Sequence, residues 1–140
     1  MKKTTLVFLS FFLLISACRT ENKKEDNSAK MKEVIAVHDE VMPKMSEISK
    51  LVARLKPMAD SSEAGSPYMV AMKDLQAAHQ SMMDWMQGFG ARFDSDEILN
   101  GKELSEEKKA WLLEEEQKVI RLREDINGSI ERARALLSEN

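Results

Sequence analysis

A single cysteine, Cys18, is the whole thiol content of this 140-residue chain, so no intrachain disulfide can form and no cysteine is left over for a zinc or redox motif. Histidine is nearly as scarce. Of its two histidines, His38 stands in His38-Asp39-Glu40, which lacks the second helical histidine four residues on that a zinc protease needs. With so few nucleophiles and no Ser-His-acid order, little is left for acyl transfer, and the chain reads as non-enzymatic. The one G-x-G string, Gly88-Phe89-Gly90, follows a helical pattern rather than a strand, which argues against a phosphate cradle. No segment alternates with the period of a strand. An excess of positive charge is also missing: the formal charge is −3, and the cations are interspersed with acids. That composition disfavours nucleic acid as a partner and disfavours charge-driven binding to anionic lipid.

What is present begins with an address. Lys2 and Lys3 precede an apolar run over residues 6–15, and Leu13-Leu14-Ile15-Ser16-Ala17-Cys18 closes it with small residues before a cysteine. This is the layout of a bacterial lipoprotein signal, with residues 1–17 cleaved and Cys18 carrying the lipid. The run is too short to span a bilayer, so it is expected to be removed rather than to anchor the chain. Each buried acyl methylene contributes about 0.8 kcal/mol, so two or three palmitate-like chains would hold the protein on its membrane essentially permanently. Cleavage removes Lys2 and Lys3 and no acid, which takes the formal charge from −3 to −5. Arg19, not the aspartate that marks inner-membrane retention, follows Cys18, so the cell envelope and its outer membrane are the expected location, with the leaflet open. Residues 18–29 contain no large apolar side chain and read as a flexible tether, about 35–40 Å long if fully extended.

Residues 30–140 suit one small domain, and three segments of helical period fill it. The expected fold is all-α, an antiparallel three-helix bundle with helices at about 30–59, 66–92 and 105–138; a longer dimeric coiled coil is the alternative. Met31, Ile35, His38, Met42, Met45, Ile48, Val52, Leu55 and Met58 or Ala59 form the first apolar stripe, bent rather than ended by Pro43. Asp60 to Gly65 reads as a loop, with Ser66-Pro67 as cap and first-turn proline. Tyr68, Met72, Leu75, His79, Met82, Met86, Phe89 and Phe93 form the second stripe. After a connection from Asp94 to Gly101, Ser105 with Glu106 and Glu107 caps the third helix, whose stripe is Leu112, Val119, Leu122, Ile126, Ile130, Ala133 and Leu137.

The two histidines open matching strings, His38-x-x-x-Met42-x-x-Met45 and His79-x-x-x-Met83-x-x-Met86. In a helix, spacings of four and seven place each trio on one face, about 6 Å and 10 Å along the axis. If the first two helices fold back around Ser61 and Ser62, His38 falls opposite Met86, Met42 opposite Met82 or Met83, and Met45 opposite His79. Thioethers are soft donors that select Cu(I), and imidazole completes such sites, so His38, Met42, Met45, His79, Met83 and Met86 form a candidate Cu(I) set. The nine methionines beyond Met1 all lie in the first two helical segments. An antiparallel third helix is expected to bring Trp111 towards Met86 and Glu114 or Glu115 towards Met82 and Met83, adding a cation–π face and a counter-charge. The competing reading needs no cofactor: methionines at helical spacing fill irregular cores and pack on aromatic edges such as Trp85, Phe89 and Phe93, with each histidine a neutral core residue. A His/Met-ligated haem is the third option, for which a bundle this small has little room.

At His38-Asp39-Glu40-Val41-Met42-Pro43-Lys44-Met45 and His79-Gln80-Ser81-Met82-Met83-Asp84-Trp85-Met86 the chain resembles small helical envelope lipoproteins that carry the automatic label "viral A-type inclusion protein". The resemblance implies a helical domain and no established activity. The expected role is therefore a membrane-anchored structural or interaction module with an envelope protein as partner, monomeric or weakly dimeric. Periplasmic Cu(I) binding or buffering is the alternative.

Overall fold

The computed structural model describes the backbone of residues 19–138 and the side chains of residues 27–138. The signal segment and Cys18 lie outside the described residues. Five helices follow in order: α1 (Arg19–Val41), α2 (Lys44–Leu55), α3 (Ser66–Arg92), α4 (Ser95–Leu99) and α5 (Glu106–Ser138), and no strand occurs among the described residues. α1 and α2 together make one rod, so three rods form an all-α bundle with one continuous core. No described helix is long and apolar enough to cross a membrane.

Local chemistry accounts for most boundaries. Pro43 has no N–H to bond back to Asp39, whereas Met42 still donates to the His38 carbonyl at 2.8 Å and Pro43 keeps helical dihedrals of −60° and −25°. The break is thus a loss of bonding rather than a change of direction, and Val41 and Met45 on its two sides feed the same core. α2 stops at Leu55, earlier than expected: Lys56 keeps helical dihedrals of −50° and −46°, but Pro57 has no N–H to carry the ladder on. The Lys56 N–H still bonds the Val52 carbonyl at 3.0 Å. α3 is capped one residue earlier than expected, by Gly65, while Ser62 Oγ accepts the Gly65 N–H at 3.0 Å. A Cβ at Gly65 would lie 2.8 Å from the Asp60 backbone nitrogen, so only glycine lets the loop close this tightly. Ser105 caps α5 as expected, its Oγ accepting the Lys108 N–H at 3.3 Å.

Two segments differ from the expected organisation. Residues 19–29, read as a tether, continue α1 as helix. Lys, Glu and Ala are good helix formers, no proline or glycine interrupts them, and extending a formed helix costs less than nucleating one. The connection after α3 is not plain loop either. Asp94 and Glu97 make a capping box, with the Glu97 N–H donating to Asp94 Oδ1 at 3.0 Å and the Asp94 N–H to Glu97 Oε2 at 2.8 Å, and α4 starts there. Gly101, at φ +66°, then turns the chain into α5.

Cross-helix bonds state the register. α1 and α2 run parallel to α5 through Lys30–Glu116 at 2.6 Å, Arg123–Glu40 at 3.4 Å, Lys44 Nζ to Asn127 Oδ1 at 2.6 Å, and Arg134–Glu47 at 2.6 Å. α3 runs antiparallel to α5, with Arg92 on Glu115 at 2.9 Å near one end and Arg132 on Asp74 at 3.1 Å near the other. This corrects the expected alignment. Glu115 sits against Arg92 rather than Met82 and Met83, and Trp111 lies beneath the Arg92 guanidinium at 5.3 Å rather than beside Met86. Arg92 at the end of α3 meets Glu115, nine residues into α5, so the first turns of α5 run past the end of α3.

The core stripes are broader than the ones read from sequence. Val34, Val41 and Leu51 are buried on the first rod, and Ala71, Ala78 and Trp85 on α3, whereas Ile35, Met42, Val52, Tyr68 and Met72 are partly buried flankers. Each rod packs against two neighbours, so its apolar face must span both contacts. On α5 the expected Leu112, Val119, Leu122, Ile126, Ile130 and Ala133 are all buried.

Candidate functional site

The strings of His38 and His79 lie along the hairpin formed by the first rod and α3. On the first rod, Lys30, Glu40, Lys44 and Glu47 face α5 through their ion pairs and hydrogen bond. Counting 100° per residue, His38, Met42 and Met45 fall on the opposite flank, towards α3. On α3 the buried line is Ala71, Leu75, Ala78, Met82, Trp85 and Phe89, and Asp74 and Arg92 mark its α5 side. His79, Met83 and Met86 each follow a core residue by one position, which turns them to the flank nearer the first rod. Both trios therefore border one groove on the side of the hairpin away from α5.

The two ends of that groove differ. At one end the His38 imidazole stacks on the Trp85 indole, with centroids 5.6 Å apart and 27° between planes. Trp85 continues the stack onto Phe89 at 4.9 Å, and Phe89 meets Phe93 at 4.9 Å. His38 Nδ1 donates to Asp39 Oδ1 at 2.9 Å. In the neutral ring this bond puts the proton on Nδ1 and leaves a lone pair on Nε2. That nitrogen is buried and has no hydrogen-bond partner, and the Trp85 Nε1–H beside it has none either. Buried polar atoms of this kind are few in folded proteins, because leaving one unmet costs about 1–3 kcal/mol.

Farther along, Met45 is buried at 7 % exposure and Met82 at 0 %, while Met42 and Met83 pack on the core from its edge. Met86 is 38 % exposed. Of the six expected ligands, then, Met45 serves the core directly, His38, Met42, His79 and Met83 are partly buried, and Met86 opens to solvent. Sequence reasoning put Met86 on the core stripe and passed over Trp85. The signal was there in the alternating four-and-three spacing of Leu75, Ala78, Met82, Trp85 and Phe89. Asp39, the orienting partner of His38, was also missed, since neighbours in sequence rarely face each other on a helix.

Hard-donor chemistry has no foothold in the described part. No group of three or more His, Cys, Asp or Glu side chains among the described residues could hold a metal ion. Both buried acids are engaged by cations: Glu97 takes Lys108 Nζ at 2.6 Å, and Glu115 takes Arg92 at 2.9 Å and Lys118 at 2.8 Å. Beside Glu115 an open groove of about 520 Å³ runs between α3 and α5, lined by Ser81, Asp84, Gly88, Arg121 and Asp125 among others. Its charges are mixed in sign and point to no one ligand. No family model, curated protein or solved structure matches this chain.

Proposed function

We propose that the protein is a lipid-anchored, non-enzymatic module of the cell envelope, carried on the membrane by Cys18 and presenting its helical bundle to another envelope component. The kinship with small helical envelope lipoproteins belongs to the same proposal. One observation carries the non-enzymatic half. Glu97 and Glu115, the buried acids a catalytic site would draw on, are closed off by Lys108, Arg92 and Lys118 and join α4 to α5 and α3 to α5 instead. Their chemistry is to hold register. The membrane half rests on the run 6–15 and the small residues before Cys18.

Two experiments test it. Labelled palmitate should enter the wild-type protein and sediment with the membrane fraction, and Cys18→Ser should lose both; an unlabelled wild type refutes the anchor. A photo-crosslinking residue at Leu113, which is 55 % exposed on α5, should trap one repeatable envelope protein in cells. Recovery of random neighbours alone refutes the interaction role.

A second reading, Cu(I) binding on the His/Met groove, is favoured by a separate observation: the buried, unpartnered Nε2 of His38 on the groove that the methionines border.

A further inference from the structure

We propose that Cu(I) is held at one end of this groove only, by His38 Nε2 with the thioethers of Met42 and Met86, beside the indole of Trp85. The inference rests on the Cu(I) reading and narrows its six ligands to three.

His38 has the arrangement of a ligating histidine. Metal-bound imidazoles generally donate their second N–H to a carboxylate, which fixes tautomer and ring orientation, and here Asp39 accepts from Nδ1 at 2.9 Å. The remaining nitrogen is buried and unpartnered, so a soft cation would satisfy it without displacing an existing bond.

The two thioethers border the same end of the groove as His38. Side chains on a helix lean towards its N-terminus, so Met42 leans back one turn towards His38. α3 runs the opposite way, and Met86 follows Trp85, which already touches His38. Met86 therefore borders the His38 end of the groove, across from Met42. Two thioethers and one imidazole are a donor set that prefers Cu(I) to harder ions. The indole face adds a cation–π contribution, and the 38 % exposure of Met86 gives the ion a way in. The far end has no matching feature. Met45 is committed to the core at 7 % exposure, and no buried, unpartnered nitrogen of His79 occurs there.

The test uses the full-length chain purified in detergent without a polyhistidine tag, kept anaerobic and titrated with Cu(I) from a competing chelator. Wild type should take up about one Cu(I), and in Trp111→Phe, which leaves Trp85 as the sole indole, loading should quench the emission. Asp39→Asn should weaken uptake about 10–100-fold, the usual cost of losing an orienting partner. Asp39 is 68 % exposed, so that substitution leaves folding intact. His38→Gln, or Met42→Leu with Met86→Leu, should abolish uptake, and His79→Gln with Met83→Leu should leave it unchanged. Uptake that survives His38→Gln and is lost in His79→Gln overturns the one-ended site while the Cu(I) reading stands. A wild type that takes no Cu(I) overturns both.

Discussion

Glu115 shows how much a single side chain depends on who surrounds it. It is 2 % exposed, yet its cations Arg92 and Lys118 are 30 % and 44 % exposed and can be hydrated without it. Removing the acid therefore strands no buried charge, whereas removing the cations does. Glu115→Met is expected to change stability by less than about 1 kcal/mol, and Arg92→Met with Lys118→Met to cost about 3–5 kcal/mol, measured by urea unfolding at neutral pH. Equal costs would show that the pair contributes symmetrically. Gly65 offers a steric counterpart. Gly65→Ala forces the Asp60 backbone to move and should cost about 1–3 kcal/mol in the same assay. Neither result could be read from composition, because both are set by residues distant in the chain or by a loop's close approach.

At the scale of elements, α4 is the piece held mainly by charge and capping. The Lys102 ammonium bonded to Asp94, with the Glu97 N–H, keeps the Asp94 carboxyl below its ordinary value of 3.8, and Asp94 in turn holds Lys102 above 10.5. A carboxyl depressed by folding contributes stability above its unfolded pKa and loses it as pH falls through the folded one. The Glu97 amide, bonded to Asp94 Oδ1, should therefore lose hydrogen-exchange protection below about pH 4. Asp94→Asn should remove that acid dependence while keeping a cap. α3 carries a different weakness. A Cβ at Gly88 meets nothing within 4 Å, so Gly88→Ala should raise stability by about 0.5–1 kcal/mol, seen as a higher melting temperature. A loss would mean that the α3–α5 groove is filled in solution. The capping box that starts α4 was legible as Asp94-x-x-Glu97, but a five-residue helix hides inside what periodicity treats as a connection.

For the whole molecule, stability rests on the shared core. Ile126, fully buried among the three rods, should cost about 2–5 kcal/mol when cut to alanine, whereas Leu113→Ala on the open face of α5 should stay within about 0.5 kcal/mol. A large effect at Leu113 would reveal a covering partner. Three helices, their antiparallel order and most of the α3 and α5 boundaries were present in the chain, because helical period, caps and prolines act within a few residues. The facing of His38 towards the end of α3 was legible too, since a short loop leaves a hairpin little freedom of register. The slide of α5 along α3 and the isolation of His38 Nε2 were decided only by the assembled bundle. Each depends on how three rods share one interior, and no window of local sequence contains that geometry.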